Sequence, residues 1–498
     1  MSNESDDALA LAAAIARGEI SAGQALADTL ATIERLNPAL NAVCRVDAEL
    51  GHRRAAAIDA QLAACSSDDE RAALLSAQPF LGVPLLLKDL ATAAIGLPST
   101  LGSRLGMRLG ADHPKTGGAG LHWPLDCTLV MRQRAAGFVI FGRSTSPEMG
   151  ISPSTEAVAY GGPTRNPHSH EHSAGGSSGG AAAAVAAGMV RIAHANDGPG
   201  SIRIPASCCG LIGLKPSRGL MPAGPLVGES WGGLATDHML TTSVRDCAAA
   251  LVASAGADAG APYAAPASLP GWMASLQSAS AAPRLRVALC DTFFEGDAID
   301  PQVAAAVRAF AGRLQALGHA VEVARPPIGT LQLLRPLVHV VACGVAMAVN
   351  RLAAAYGPLA ADDLEPTTLS AVALGHATSG AQYLDHLDRL HGISRTMARF
   401  FETHDLLLTP VLAEPPARLG RWAMSHPDFL DYRIGPQGLW RYSPFAPLAN
   451  ATGGASIALP AGRTAGGLPI GALLTGRLGD DALLLRLAAE LEESGSFK

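Results

Sequence analysis

Leu285-Arg286-Val287-Ala288-Leu289-Cys290 is a strand-length apolar run, followed by an amphipathic segment from Pro301 to Leu317 and a second short run, Ala320-Val321-Glu322-Val323. Strand period, helix period and strand period in that order predict a β-α-β unit, the element from which α/β folds are built. No GxGxxG follows the first run, so a nucleotide fold is not indicated. Towards the C-terminus, Ala455 to Leu459 reads as a strand, Gly467-Leu468-Pro469-Ile470-Gly471 as a turn, and Asp481 to Glu493 as a helix with Leu484, Leu487 and Leu491 aligned. Towards the N-terminus, Val83 to Leu87, Phe138 to Phe141 and Ser201 to Ile204 read as further short runs between stretches dense in Gly, Ser, Pro and Thr. The first segment reads as helical scaffold. Leu11 and Ile15 precede Gly18, and a capping box at Ser21 and Gln24 opens a helix carrying Leu26, Leu30 and Ile33 as far as Asn37-Pro38.

The chain has 498 residues, 48% hydrophobic and 16% charged, which describes a globular protein of several domains or one large α/β domain. With 37 basic and 43 acidic residues its net charge is −6, so no global basic field exists to hold nucleic acid or an anionic membrane. Eight cysteines (Cys44, Cys65, Cys127, Cys208, Cys209, Cys247, Cys290, Cys343) form no CxxC pair, which argues against a zinc ribbon or disulfide framework and for a reducing, cytoplasmic setting. The acidic N-terminus is unlike a signal peptide, and the longest apolar run, Gly179 to Val190, stops at Arg191, so neither export nor a membrane span is expected. Residues 253–283 are the most linker-like stretch and read as a surface excursion. No internal repeat is present.

Only four lysines occur: Lys88, Lys115, Lys215 and Lys498. Lys88 ends the run Gly82-Val83-Pro84-Leu85-Leu86-Leu87-Lys88-Asp89. A lysine closing an apolar strand is commonly a snorkelling edge residue, but four aliphatic neighbours draw this ammonium inward, where desolvation favours the neutral form that a general base needs. Gly175-Gly176-Ser177-Ser178-Gly179-Gly180, taken alone, is linker-like; here it enters the helix-forming run Ala181 to Ala187, which puts a nest of backbone N–H groups beside two hydroxyls. Asp197-Gly198-Pro199-Gly200-Ser201-Ile202-Arg203-Ile204-Pro205 places two glycines just before a serine, an oxyanion-hole composition.

Together with Pro147-Glu148-Met149-Gly150, Thr164-Arg165-Asn166-Pro167, Cys209-Gly210-Leu211-Ile212-Gly213-Leu214-Lys215-Pro216 and Asn450-Ala451-Thr452-Gly453, these segments resemble the amidase signature family over most of the chain. The resemblance implies a single α/β/α domain spanning 1–498 around a large twisted mixed sheet. Its parts would be an N-terminal helical segment (1–75), a signature core (76–250) and a C-terminal half completing the sheet and pocket (251–498). It also implies amide hydrolysis without a metal or cofactor. Carried over by position, Ser201 is the nucleophile, Ser177 the bridging serine and Lys88 the base. Gly198, Gly200 and Ser201 would form the oxyanion hole, Ser178 would orient Lys88, and Asp197 and Arg203 would brace the loop. Gly150, Ile151 and Trp231 are expected to touch substrate. The segment Ser201 to Gly210 leans towards the nylon-oligomer and aryl-acylamidase-like branch, which implies a small-molecule, fairly apolar amide substrate and a protein that is a monomer or homodimer.

The sequence departs from the family at Pro199, where a glycine is usual and which has no N–H to donate, at Asn196 in place of a common threonine, and in the long stretch 107–124, a surface excursion or a lid. His168, His170 and His172 alternate without a supporting carboxylate set, so no functional metal is expected, and Cys208 and Cys209 read as core thiols. Other readings are a urethane or ester hydrolase using the same triad, an amidotransferase subunit working with a partner protein, and a G-x-S-x-G elbow at Gly175 to Gly179 served by a histidine such as His404. The elbow requires a preceding strand, which the turn-rich Gly161 to Ala174 does not predict.

Overall fold

The computed structural model describes residues 6–90, 92–110, 120–264 and 284–497. Parts of two expected features, the lid candidate at 111–119 and the linker-like stretch at 265–283, lie outside the described residues. The strands, in chain order, are β1 (Val43–Val46), β2 (Pro84–Lys88), β3 (Val139–Ser144), β4 (Arg165–Asn166), β5 (Ser169–Ser173), β6 (Ile192–Asp197), β7 (Ile212–Lys215), β8 (Thr236–Thr241), β9 (Arg286–Leu289), β10 (Ala320–Val323), β11 (Leu406–Pro410), β12 (Ser456–Arg463) and β13 (Pro469–Thr475). Eleven of them form one mixed sheet in the order β1-β3-β2-β6-β8-β7-β12-β13-β11-β9-β10, while β4 and β5 pair separately. The chain is thus a single α/β domain: parallel pairs at β2/β3, β2/β6, β11/β9 and β9/β10 flank an antiparallel centre. The segment that opened the sequence reading is β9, the helix Pro301–Ala316 and β10, with β9 and β10 parallel.

Helices cover both faces, so β2 and β3 are buried at every position. That is why their sequences are continuous apolar runs rather than alternating ones. Ser21 caps the helix Ala22–Leu40 by accepting from the Gln24 N–H at 3.0 Å. This helix passes the expected stop at Asn37-Pro38, because a proline there costs only one last-turn hydrogen bond, and ends when Asn41 takes a left-handed conformation at φ 50°.

Two sequence expectations need correction. Ser201 to Ile204 is a turn leading into the helix Arg203–Cys209, because the Asp197 carboxylate accepts the Gly200 and Ile202 N–H groups and bends the chain out of β6. Gly161 to Ala174 does contain a strand, β5, but β5 pairs with β4 and, through a single bridge at His172, with Arg418, and does not enter the main sheet as an elbow requires.

A membrane-length apolar helix escaped the sequence reading. Thr330–Tyr356 is long and apolar enough, by length and composition, to cross a membrane; Arg335, His339 and Asn350 divide it into short runs that a scan for unbroken apolar stretches passes over. Within the fold it buries Leu333, Leu334, Leu337, Val338, Val341 and Val345 and packs on the helices Pro366–Ala377 and Gly380–Thr403.

The helix Gly179–Ala186 approaches β3 so closely that a Cβ on Gly180 would lie 2.6 Å from Ala42 O and overlap Thr145. Both neighbours include backbone and cannot retreat. Gly180→Ala is therefore expected to lower stability by about 1–3 kcal/mol, the usual cost of overpacking. A fall in the urea midpoint at unchanged m checks it.

Candidate active site

Lys88 is the last residue of β2 and is fully buried. Its carbonyl accepts from Nη1 of Arg143 (3.0 Å), whose Nη2 also donates to the carbonyls of Thr92 and Leu97. Its N–H donates to Nδ1 of His194 (3.2 Å), so the His194 proton sits on Nε2, which faces Asp237 at 3.1 Å. Nζ lies 2.7 Å from both the Ser177 Oγ and the Asn196 Oδ1. Alternate residues of β6, His194 and Asn196, therefore hold the main chain and the side chain of one lysine. Burial pushes the Lys88 amine down to about 7, with Asp237 and Asp197 opposing that shift.

Ser177 follows a cis Gly176–Ser177 peptide bond and is buried. A side chain on Gly176 would run into the Ser152 carbonyl at 2.6 Å, and one on Gly150 would come within 3.3 Å of the Ser177 Oγ. Gly150 also has φ +71°, so glycine serves there both for its backbone angle and for its size.

Ser201 lies on the turn after β6. The buried Asp197 carboxylate accepts from Nε and Nη2 of Arg203 (both 2.9 Å), from the Asn450 Nδ2 (2.9 Å) and from the N–H groups of Gly200 (2.7 Å) and Ile202 (3.1 Å). Burial alone would raise this carboxyl, but Arg203 and Asn450 hold it far below the usual carboxylate range. Asp197 and Arg203, expected to brace the loop, form a buried ion pair. Gly200 is different: its N–H is committed to Asp197, so it does not point at the space beside Ser201. The amides of Gly198 and Ser201 have no partner among the described residues.

Ser177, Asn196, Gly198, Ser201 and Asp237 open on one cavity of about 470 Å³, lined by apolar Leu90, Leu101, Leu121, Trp123, Met149, Trp231 and Val345, by Gly150 and by the charged residues Arg218, Glu229, Asp258 and Arg351. Among the described residues four non-glycines have positive φ, and three of them, Leu101 (59°), Met149 (52°) and Trp231 (53°), line this cavity. Strained backbone of this kind persists where the surroundings impose it and concentrates at functional sites. No hydrogen bond joins the hydroxyls of Ser177 and Ser201; the two residues meet through the Ser178 N–H, which donates to the Ser201 carbonyl at 3.3 Å.

Other expected residues fall elsewhere. Ile151 is buried behind the wall, where its carbonyl accepts from Arg433, and it does not line the cavity. Ser178 donates to the Asn196 carbonyl at 3.2 Å instead of to Lys88, so the amine is oriented by Asn196. His404 faces Glu322 at 2.8 Å, away from the cavity lining. Cys208 and Cys209 are buried thiols, Cys208 pushed up to about 12 by burial. Among the described residues no three His, Cys, Asp or Glu side chains gather as a metal site.

The sequence reading missed Asn196 as the partner of the lysine, Asn450 as the second clamp on Asp197, and Arg143. A usable signal existed for the first. Polar His194 and Asn196 alternate with Ala193 and Ala195, the period of a strand that presents polar groups to one face.

Residues 24–485 match the amidase family. A 6-aminohexanoate-cyclic-dimer hydrolase from Pseudomonas sp. strain NK87 is 35% identical over 499 aligned residues, taking in 98% of this chain and 94% of that protein. The solved structure of a 6-aminohexanoate cyclic dimer hydrolase matches with a TM-score of 0.85 at 33% identity, over 98% of this chain and 96% of that one. That of a bacterial aryl acylamidase belonging to the amidase signature enzymes matches with a TM-score of 0.85 at 26% identity, over 99% and 97%.

The Asp197–Arg203 pair has a measurable signature. Arg203→Met leaves a buried carboxylate without its counter-charge, which is expected to cost about 3–5 kcal/mol at neutral pH. Because the folded Asp197 carboxyl is depressed, its contribution is present above the unfolded value near 4 and lost as pH falls below it. The gap in urea midpoint between wild type and Arg203→Met should narrow as pH falls through that range.

Proposed function

The chain belongs to the amidase family and is a hydrolase of amide bonds, and on that premise we propose that it cleaves small, fairly apolar amides through an acyl-enzyme on Ser201, with Ser177 as proton relay and Lys88 as base. One observation carries this reading: the 2.7 Å contact from Lys88 Nζ to Ser177 Oγ, made by a fully buried amine brought down to about 7, beside the cavity that Ser177 and Ser201 line. Neutral Lys88 takes the Ser177 proton as Ser177 takes that of Ser201, and the Ser201 Oγ attacks the carbonyl carbon. The tetrahedral oxyanion is met by the amides of Gly198 and Ser201, Pro199 having no N–H and Gly200 being bound to Asp197. The relay then returns the proton to the leaving nitrogen, the C–N bond breaks, and water attacks the ester by the same route in reverse. The Ser177 and Ser201 hydroxyls come into line when substrate fills the cavity, a tightening common in catalytic hydrogen bonds.

The apolar residues Leu90, Leu101, Leu121, Met149 and Trp231 in the lining suit an aliphatic or aryl acyl group. The relative named for the 6-aminohexanoate cyclic dimer makes amides of medium-chain amino acids the first compounds to try, beside anilides, esters and urethanes. Gly150 and Trp231 border the acyl group. The substrate is a small molecule, and no metal takes part.

Ser201→Ala, Ser177→Ala and Lys88→Ala are each expected to lower kcat by at least about 10³, as for residues that act as a unit. Acid-quenched turnover should leave an acyl adduct on Ser201, visible by peptide mass spectrometry. Wild-type turnover by Ser201→Ala, or an adduct on another residue, refutes the assignment. Since only the neutral amine is the base, kcat/KM should fall about tenfold per pH unit below about 7 and level off above it. A maximum near about pH 5 removes Lys88 from the role.

Pro199→Gly is expected to change kcat while shifting the melting temperature by only a few degrees, since glycine accepts the same backbone angles at a cost of about 1 kcal/mol. Unchanged kcat and KM would show that the loop neither donates to nor shapes the site.

A further inference from the structure

Trp231 is held between two glycines from distant parts of the chain. A Cβ on Gly198 would lie 2.6 Å from its Cε3 and closer still to Cζ3, and a Cβ on Gly344 would lie 2.8 Å from its Nε1 and closer still to Cδ1. Neither glycine has a positive φ. Gly344 lies inside the helix Thr330–Tyr356, where glycine is a poor helix former. Backbone geometry therefore does not call for glycine at either position; the room for the indole does. On one side the ring rests on the loop that carries Ser201, and on the other on a long helix anchored in the core. Trp231 itself is left-handed at φ 53°, a costly conformation for a bulky residue, followed by Gly232 and Gly233 at φ 59° and 78°. The backbone is thus bent to put the indole in that slot.

We infer that Trp231 is a positioning residue for the oxyanion hole, a rigid spacer that fixes the Gly198 peptide against the helix Thr330–Tyr356. The inference rests on the proposed acyl-enzyme at Ser201 with the Gly198 amide facing the oxyanion. An amide donor works only when it is aimed at the place where charge develops, so a small displacement of the Gly198 peptide is felt in the transition state more than in substrate binding. Pro199, next to Gly198, restricts the same loop from its other end. The cavity's width beside the scissile bond is set by the same ring, which lines it.

The test places one methyl group behind the ring. Gly344→Ala touches no residue of the proposed triad, and its gain in helix propensity offsets only part of the overpacking against the indole, so the protein should fold with a lowered melting temperature. Its methyl must push the indole towards Gly198. With a chromogenic anilide, kcat is expected to fall at least tenfold and KM to change less than threefold. Trp231→Phe supplies a smaller ring, and in that background Gly344→Ala should alter kcat less than threefold. Wild-type kcat in Gly344→Ala overturns the inference, as does an equal loss in the Trp231→Phe background. If Gly344→Ala does not fold, Trp231→Phe alone decides: a lowered kcat at little-changed KM supports the spacer role, and wild-type kcat overturns it. Ser201→Ala separates the two levels of argument. Turnover by Ser201→Ala defeats the acyl-enzyme reading itself, whereas an inactive Ser201→Ala beside a fully active Gly344→Ala defeats the spacer alone.

Discussion

The buried Asp197 carboxylate is the constraint on which the rest of the site depends. A charge with no access to water must be met by donors from all sides, and Asp197 collects them from Arg203, Asn450, Gly200 and Ile202. The donors come from three pieces of backbone: the helix Arg203–Cys209, the helix Pro447–Thr452 and the turn that carries Ser201. Asn450 extends the clamp by donating to Leu234 O, just ahead of β8. Satisfying one carboxylate thereby locates the end of β6, the Ser201 turn and two helices. Such a pair contributes little net stability after desolvation, but it penalises alternative arrangements severely, because any of them strands a charge.

Lys88 is the opposite case, a cation placed where little compensates it. Its nearest polar neighbours, Ser177 and Asn196, are neutral acceptors, and the carboxylates of Asp237 and Asp197 act only through space. Burial therefore dominates and the amine is driven towards neutrality. The second buried lysine, Lys215, is also pushed down by burial and by Arg203, but its Nζ donates to the Pro216 carbonyl. Two lysines with similar electrostatics thus differ in partner: Lys88 meets Ser177, which lines the cavity, and Lys215 meets a backbone carbonyl, which separates a candidate base from a structural group.

The cavity is assembled by strain as well as by charge. Leu101, Met149 and Trp231 hold left-handed backbones around it, and Leu101 is tied to Met149 by a 2.9 Å backbone hydrogen bond. Gly102, beside Leu101, is packed so tightly on the carbonyls of Ser146 and Pro147 that no side chain fits. The wall is consequently made of segments that cannot relax singly, which keeps a space open beside the serines.

Much of this was legible in the residues. The β9, helix and β10 unit and the buried strand ending in Lys88 follow from local signals, namely periodicity and the desolvation of a charge behind aliphatic residues. The meeting of Lys88 with Ser177 was anticipated from the ordered motifs. Allocation of hydrogen bonds was beyond such a reading. The Gly200 N–H and the Gly198 N–H look equivalent in sequence, yet Asp197 takes the first and leaves the second. Ser178 stands next to Ser177, but Asn196, from another strand, is the group that reaches Lys88. Ile151 adjoins Gly150 but turns behind the wall. Propensity and period depend on neighbours along the chain and are written in it. Competition among donors for one acceptor, and the fit of an indole between glycines 198 and 344, depend on separations that exist only once distant segments have packed.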